Sequence, residues 1–191
     1  MQELKDRIVK EGRVLPGNII KVDGFLNHRI DTELMEHIAE EFGHHFNMDD
    51  VTLILTAEAS GIALAAVTAR HFNKPLIFAK KAKSDNIEGG LLKSDIFSYT
   101  YKKKVTLLVS QEWISPNDKV LIIDDFMANG EAMRGLCDIV ETAGATLVGI
   151  GCAVEKGFQG GGDRLRAAGV NLKSLAIIES AEPGNIVFRE D

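Results

Sequence analysis

Two adjacent carboxylates, Asp124 and Asp125, close the aliphatic run 120–123, and the small-residue loop FMANG follows them in the stretch VLIIDDFMANGEA. In an open parallel sheet, ligands collect beyond the carboxyl ends of the strands, which is where this pair is expected. The loop then leads into a helix beginning near Gly130, whose unpaired N–H groups suit a phosphate. Its small residues let the backbone come close to that anion. Carboxylates beside a phosphate repel a bare anion, so their partners are sugar hydroxyls or a divalent cation. A ligand carrying phosphate, ribose and metal together fits this pattern. The competing reading is a strand that stops in a solvated Asp-Asp turn.

A second stretch, TAEASG at 56–61, holds the small run Ala59-Ser60-Gly61, where backbone donors can face an anion. Ser60 and Gly61 read equally as an N-cap and a tight helix start. Lys80, Lys81 and Lys83 supply cations, or form a solvated basic loop. The lysines at 102–104 read as a hairpin turn between apolar runs, with no function assigned.

The elements that must position these residues follow from periodicity. Leu34, Ile38, Phe42 and Phe46 recur every fourth residue after Asp31, which stands as N-cap of an amphipathic helix. VTLIL at 51–55, PLIFA at 75–79, VLII at 120–123, ATLVGIGCAV and LKSLAII read as buried strands. GIALAAVTARHF, the segment 130–143 with Met133, Leu136, Cys137 and Val140 on one face, and DRLRAAG read as helices. Strands alternating with helices predict an α/β fold with a mainly parallel, doubly wound sheet. Between 80 and 113 the rhythm breaks into a polar loop, KKAKSDNIEGGLLKSD, and a hairpin of IFSYTY with VTLLV. Residues 1–191 read as one domain, with 1–50 as an N-terminal appendage and 80–113 as a flexible loop-and-hairpin insertion.

Composition narrows the class. The chain has 191 residues, 45% hydrophobic and 26% charged, with a net charge of −6 and a pI near 5.4, which argues against a polyanion-binding face. Cys137 and Cys152 have no metal-like or redox-like spacing and read as reduced core thiols of a cytoplasmic protein. The charged N-terminal stretch MQELKDRIVKEG lacks the apolar core of a signal peptide, so none is expected, and no apolar run approaches membrane-spanning length. There is no nucleotide P-loop motif; GIGCAV lacks the third glycine of a dinucleotide fingerprint; QGGGD reads as a flexible turn. His37, His44 and His45 lack a zinc-like grouping and read as helix-surface residues.

VLIIDDFMANGEA resembles the phosphoribosyl-diphosphate signature of the type I phosphoribosyltransferases. KVDGFLNHRID, TAEASGIALA, FAKKAKS and GIGCAVEKGFQ extend that resemblance over essentially the whole chain, to the bacterial branch of the family that takes xanthine. Asn129 and Ala132 depart from the threonine and Thr/Ser of many members, which moves phosphate binding onto backbone N–H groups and the Asn129 amide. The resemblance implies that Ala128, Asn129, Gly130, Glu131 and Ala132 wrap the 5′-phosphate of 5-phosphoribosyl 1-diphosphate. Asp124 and Asp125 would hold ribose hydroxyls beside Mg²⁺, itself bound mainly through substrate oxygens with no separate metal site. Ala59, Ser60 and Gly61 would receive the pyrophosphate, with Lys81 contacting it across a homodimer. Glu58 matches a glutamate that assists proton movement on the base or the developing ribosyl cation, or is an exposed loop carboxylate. The N-terminal appendage would act as a hood, with Ile20, Asn27 and Lys156 at the xanthine-contacting positions. A lysine ammonium suits xanthine's two carbonyls, and Asn27 can donate and accept together. Phe158 is a further aromatic, either stacked on a purine or part of the core. No nucleic-acid or membrane partner is expected on the enzyme reading. The alternative class is a regulator of this fold that binds nucleic acid in response to a nucleotide or phosphoribosyl diphosphate. Heparin retention at low salt separates the two.

Overall fold

A computed structural model describes residues 1–81, 90–98 and 103–190; the loop residue Lys83 and part of the lysine run at 102–104 lie outside these. Helix α1 (Gln2–Glu11) leads into a short hairpin, β1 (Arg13–Leu15) and β2 (Ile19–Lys21), then a π-helical turn at Asp23–Asn27. Helix α2 (Thr32–His45) follows, and Asp31 caps it by accepting the Leu34 N–H at 3.2 Å. Leu34, Ile38 and Phe42 are fully buried along one stripe, as their spacing predicts. Phe46 stands one residue past the helix and is also buried.

The central elements run β3 (Leu53–Ala57), α3 (Gly61–His71), β4 (Leu76–Ala79), β5 (Leu91–Ser98), β6 (Lys103–Ser110), β7 (Lys119–Met127), α4 (Glu131–Thr142), β8 (Thr146–Lys156), α5 (Gly161–Ala167), β9 (Leu172–Glu182) and β10 (Asn185–Phe188). Six strands form one sheet in the order β10-β9-β8-β7-β3-β4, parallel except where β10 pairs antiparallel with β9. From β3 the chain winds outward to β4, whereas β7, β8 and β9 wind the other way. The β3/β7 junction is therefore the topological switch point, where strand ends splay to leave a crevice. One face of the sheet buries α1, α2 and the hairpin β1–β2; the other buries α4 and the β5–β6 hairpin.

Several expectations shift in detail. The strand read at 51–55 begins at Leu53 and runs to Ala57, because a 3-10 turn at Met48–Asp50 precedes it. Leu91 to Asp95, read as loop, belong to β5 and pair with β6 as far as Ser110. On α4 the buried stripe is Met133, Leu136, Ile139 and Val140, and Cys137 stands at its edge, half-buried. Burial pushes the Cys137 thiol up to about 11, a value that keeps it protonated and unreactive at neutral pH. The glycines of GIGCAV make room for α2. A Cβ on Gly149 would stand 2.6 Å from the Phe46 ring, and one on Gly151 would stand 2.9 Å from the Phe42 ring.

The glycines of QGGGD form packing contacts. Gly161 and Gly162 open α5, and a Cβ on Gly162 would lie 2.0 Å from the Glu155 carboxylate. Glu155 is fully buried on β8, yet paired: Arg166 donates to it at 3.1 and 2.7 Å, and the Ser174 hydroxyl donates at 2.5 Å. Removing one partner of a buried ion pair strands the other charge. Arg166→Ala is accordingly expected to lower unfolding stability by about 3 kcal/mol in urea titration. A loss under about 1 kcal/mol would show that Ser174 alone satisfies the carboxylate.

Candidate active site

Strand β7 does not stop at its acidic pair. It continues through Met127, with Asp124 in register with Cys152 and Met127 with Glu155. Both carboxylates are buried, so the solvated-turn reading fails. Asp125 Oδ1 accepts the Ser60 hydroxyl at 2.9 Å, and Oδ2 accepts the Asn27 amide at 3.0 Å. Ser60 thus opens α3 without capping it: its hydroxyl is spent on Asp125. Asp124 Oδ1 accepts the Asp125 N–H at 3.1 Å and lies against Gly61, where a Cβ would come within 2.1 Å of it. Only glycine leaves room for that carboxylate at the start of α3.

Burial, and secondarily the neighbouring Asp125, hold the Asp124 carboxyl well above the usual carboxylate range; the Lys81 charge acts in the opposite direction. The folded chain then keeps a proton that the unfolded chain releases as pH rises past the ordinary aspartate value. Stability contributed by this group falls with rising pH across the window between the two values. Asp124→Asn mimics the protonated form and is expected to raise the melting temperature of the ligand-free protein at neutral pH. The gain should shrink toward pH 4, near the ordinary aspartate value of about 3.9. A lowered melting temperature at pH 7 would contradict this assignment.

Beyond β7 the chain turns through Ala128 and Asn129 to Gly130, which takes a left-handed φ of +77° and caps α4. The first turn of α4 opens onto the same cavity, which measures about 510 Å³. Ala128, Asn129, Gly130, Glu131 and Ala132 all line it. The Glu131 carboxylate accepts the Phe97 N–H and the Arg134 guanidinium, each at 3.4 Å. On the other side of the switch point, Glu58 and Ser60 line the cavity from the end of β3. The Glu58 carboxylate accepts the Lys81 backbone N–H and its own N–H donates to Ala79 O at 3.0 Å, so it ties the β3 and β4 loops together. The Glu58–Ala59 peptide is cis. Ala59 and Gly61 border this loop without lining the cavity. Lys81 is among the residues that line the cavity of its own chain.

Ile20 and Asn27 close the cavity from the N-terminal segment, and Lys156 closes it from the end of β8. Lys156 Nζ donates to Asn18 O at 3.3 Å and lies 5.4 Å from the centre of the Phe126 ring. Burial lowers the Lys156 ammonium from the ordinary lysine value. Phe126, half-buried beside the acids, was not singled out from sequence, although it stands inside the signature. Phe158, the aromatic that was, packs against the core on the α2 side of the sheet. Ile96, Phe97 and Val105 of the β5–β6 hairpin complete an apolar wall that no motif announced.

A parallel sheet whose switch point carries buried paired acids beside a small-residue loop at a helix N-terminus defines a class of protein that binds a phosphorylated ligand there. The chain belongs to the phosphoribosyl transferase domain family, whose model matches residues 25–168. Among its relatives, the xanthine phosphoribosyltransferase of Lachnoclostridium phytofermentans is 52% identical over the full length of both chains. That of Bifidobacterium longum is 52% identical over 99% of this chain and 100% of its own. Among solved structures, adenine phosphoribosyltransferase from Rhodothermus marinus superposes with a TM-score of 0.75 at 22% identity, covering 93% of this chain and 100% of its own, a likeness of fold.

Proposed function

We propose that this chain transfers the phosphoribosyl group of 5-phospho-α-D-ribose 1-diphosphate to xanthine, giving xanthosine 5′-monophosphate and pyrophosphate in purine salvage. The observation that carries the reading is the convergence of three groups in one cavity: the paired acids, the phosphate loop, and the polar pair Asn27 and Lys156. Full-length relatives about half identical to this chain bear the name of that activity.

The 5′-phosphate takes the N–H groups of the 128–132 loop and the start of α4. Ribose hydroxyls replace Ser60 and Asn27 as donors to Asp125, with Asp124 beside them. Among the described residues no group of three or more His, Cys, Asp or Glu side chains could hold a metal ion, so Mg²⁺ would be held mainly through substrate oxygens, with Asp124 and Asp125 beside it. Bound there, Mg²⁺ supplies charge neutralisation for the departing diphosphate. Lys81 adds a positive charge on the pyrophosphate side, where Glu58 holds its backbone in place. The base lies along Phe126, with Asn27 matching adjacent N–H and C=O groups and Lys156 facing a carbonyl. The remaining barrier is lowered by holding the reactants in line for an oxocarbenium-like transition state.

Among the described residues no helix is long and apolar enough to cross a membrane; the cytoplasm and a homodimer are part of the proposal, the latter checked by light scattering. The deciding experiment is pyrophosphate release with Mg²⁺ and 5-phosphoribosyl 1-diphosphate, with xanthine, guanine, hypoxanthine and adenine tested separately. Turnover strongest with xanthine is expected. Tight binding of the diphosphate with no turnover of any base would overturn the enzyme reading in favour of a ligand-sensing regulator.

A further inference from the structure

The phosphate loop is gripped from behind by α5. Gly161, the first residue of that helix, sits so close that an added Cβ would lie 2.4 Å from Ala128 O, 2.5 Å from Asn129 C and 2.6 Å from Gly130 N. The Asn129–Gly130 peptide therefore rests with no gap on the backbone of α5. One turn further along, Arg164 Nη2 donates to Asn129 O at 3.0 Å, and Nη1 reaches Gln159 O at 3.5 Å. Arg164 is exposed and does not line the cavity. Among the described residues, its hydrogen bond to the site is made through this carbonyl.

We propose that Arg164 is a positioning residue for phosphoribosyl binding, which sets the direction of the Gly130 N–H by holding the Asn129 carbonyl. The Asn129–Gly130 bond is trans, and in a planar trans peptide the C=O and the next N–H point in opposite directions. With the carbonyl drawn toward α5, the Gly130 N–H turns away from α5, to the side where Gly130 lines the cavity. The left-handed φ of Gly130 makes this peptide the one in the loop freest to flip. Gly161 blocks one face of it and Arg164 pins its oxygen, leaving the donor directed at the anion before the anion arrives. Donors fixed beforehand cost nothing to reorganise on binding. The guanidinium also withdraws a carbonyl oxygen that, flipped inward, would face the phosphate. The loop lacks the threonine hydroxyls of many family members, so backbone orientation carries more of the binding here.

This inference rests on the reading of 128–132 as the 5′-phosphate loop, and its test separates the two. Ribose 5-phosphate binding is measured by calorimetry for the wild type and for Arg164→Ala, Arg164→Gln and Arg164→Lys, alongside kcat, both KM values and thermal melting. Arg164→Ala is expected to weaken ribose 5-phosphate binding and raise KM for the diphosphate about tenfold or more, the range of a lost charge-assisted hydrogen bond. KM for xanthine and the melting temperature should stay near wild type. Arg164→Lys keeps a charged donor of similar reach and should recover most of the loss, whereas Arg164→Gln, neutral and shorter, should recover little of it. Unchanged ribose 5-phosphate binding in Arg164→Ala overturns the inference, as does a lowered melting temperature with both KM values unmoved. A wild type that binds ribose 5-phosphate yet turns over no base overturns the proposed reaction and leaves the Arg164 comparison valid. A wild type that binds no ribose 5-phosphate overturns both.

Discussion

Asparagine at position 125 is expected to reduce kcat/KM for 5-phosphoribosyl 1-diphosphate about 10³-fold while the protein still folds. Asp125 receives two hydrogen bonds, from Ser60 and from Asn27, one on each oxygen. Ribose hydroxyls are to take their place. Each hydrogen bond to a charged acceptor contributes roughly 1.5–3 kcal/mol, and Asp125→Asn removes the charge from both and one acceptor outright. Two such losses of about 2 kcal/mol each correspond to about three powers of ten. The substituted amide can keep its oxygen toward the Asn27 amide and turn its NH2 toward the Ser60 hydroxyl, which can accept, so KM for xanthine should change far less than KM for the diphosphate. Steady-state kinetics with each substrate varied in turn would show it. A loss below about tenfold would mean that the ribose does not bind through this carboxylate.

Lys156→Gln is expected to reduce kcat/KM for xanthine about 10²-fold, with a smaller loss for hypoxanthine, which lacks the carbonyl at C2. Glutamine can still donate a hydrogen bond but brings no charge. The same variant separates charge from shape through pH. Because burial lowers the Lys156 ammonium below the ordinary lysine value of about 10.4, the wild-type kcat/KM for xanthine should fall on the alkaline side before that value is reached. The sign follows from the protonated form being the one that binds: activity is present below the lowered value and lost as pH rises through it. In Lys156→Gln that alkaline limb should disappear. Equal losses for xanthine and hypoxanthine, with the limb retained, would move Lys156 from base selection to support of the cavity wall around Phe126.

Much of the site was legible because its key pieces are local. VLIIDDFMANGEA carries strand, acids, loop and helix start within one stretch, and the 3.6-residue period of α2 or the glycine stop after α4 depends on near neighbours alone. What the local reading left open has a common cause. The small glycine run QGGG reads locally as a turn, and only the approach of α5 to the 128–130 backbone and to Glu155 explains why side chains are excluded there. Ser60 looks like a cap because caps are the commonest use of serine at a helix start, yet a carboxylate from another strand claims its hydroxyl. Phe126 and Phe158 are each aromatic residues next to a strand end, and no periodicity says which one lines the cavity and which one joins the core.

The amino-acid sequence by itself determined the alternation of strands and helices, the family signature and the chemical types at its core, since these follow from side-chain period and short-range sterics. Tertiary structure alone decided which distant groups meet. Asn27 reaches Asp125 across 98 positions and Lys156 reaches Asn18 across 138, contacts created when the sheet order reverses at β3 and β7 and the N-terminal segment folds over the crevice. Burial, too, was a tertiary outcome: it turned an acidic pair that could have lain in water into two enclosed carboxylates, one of them held above its ordinary range.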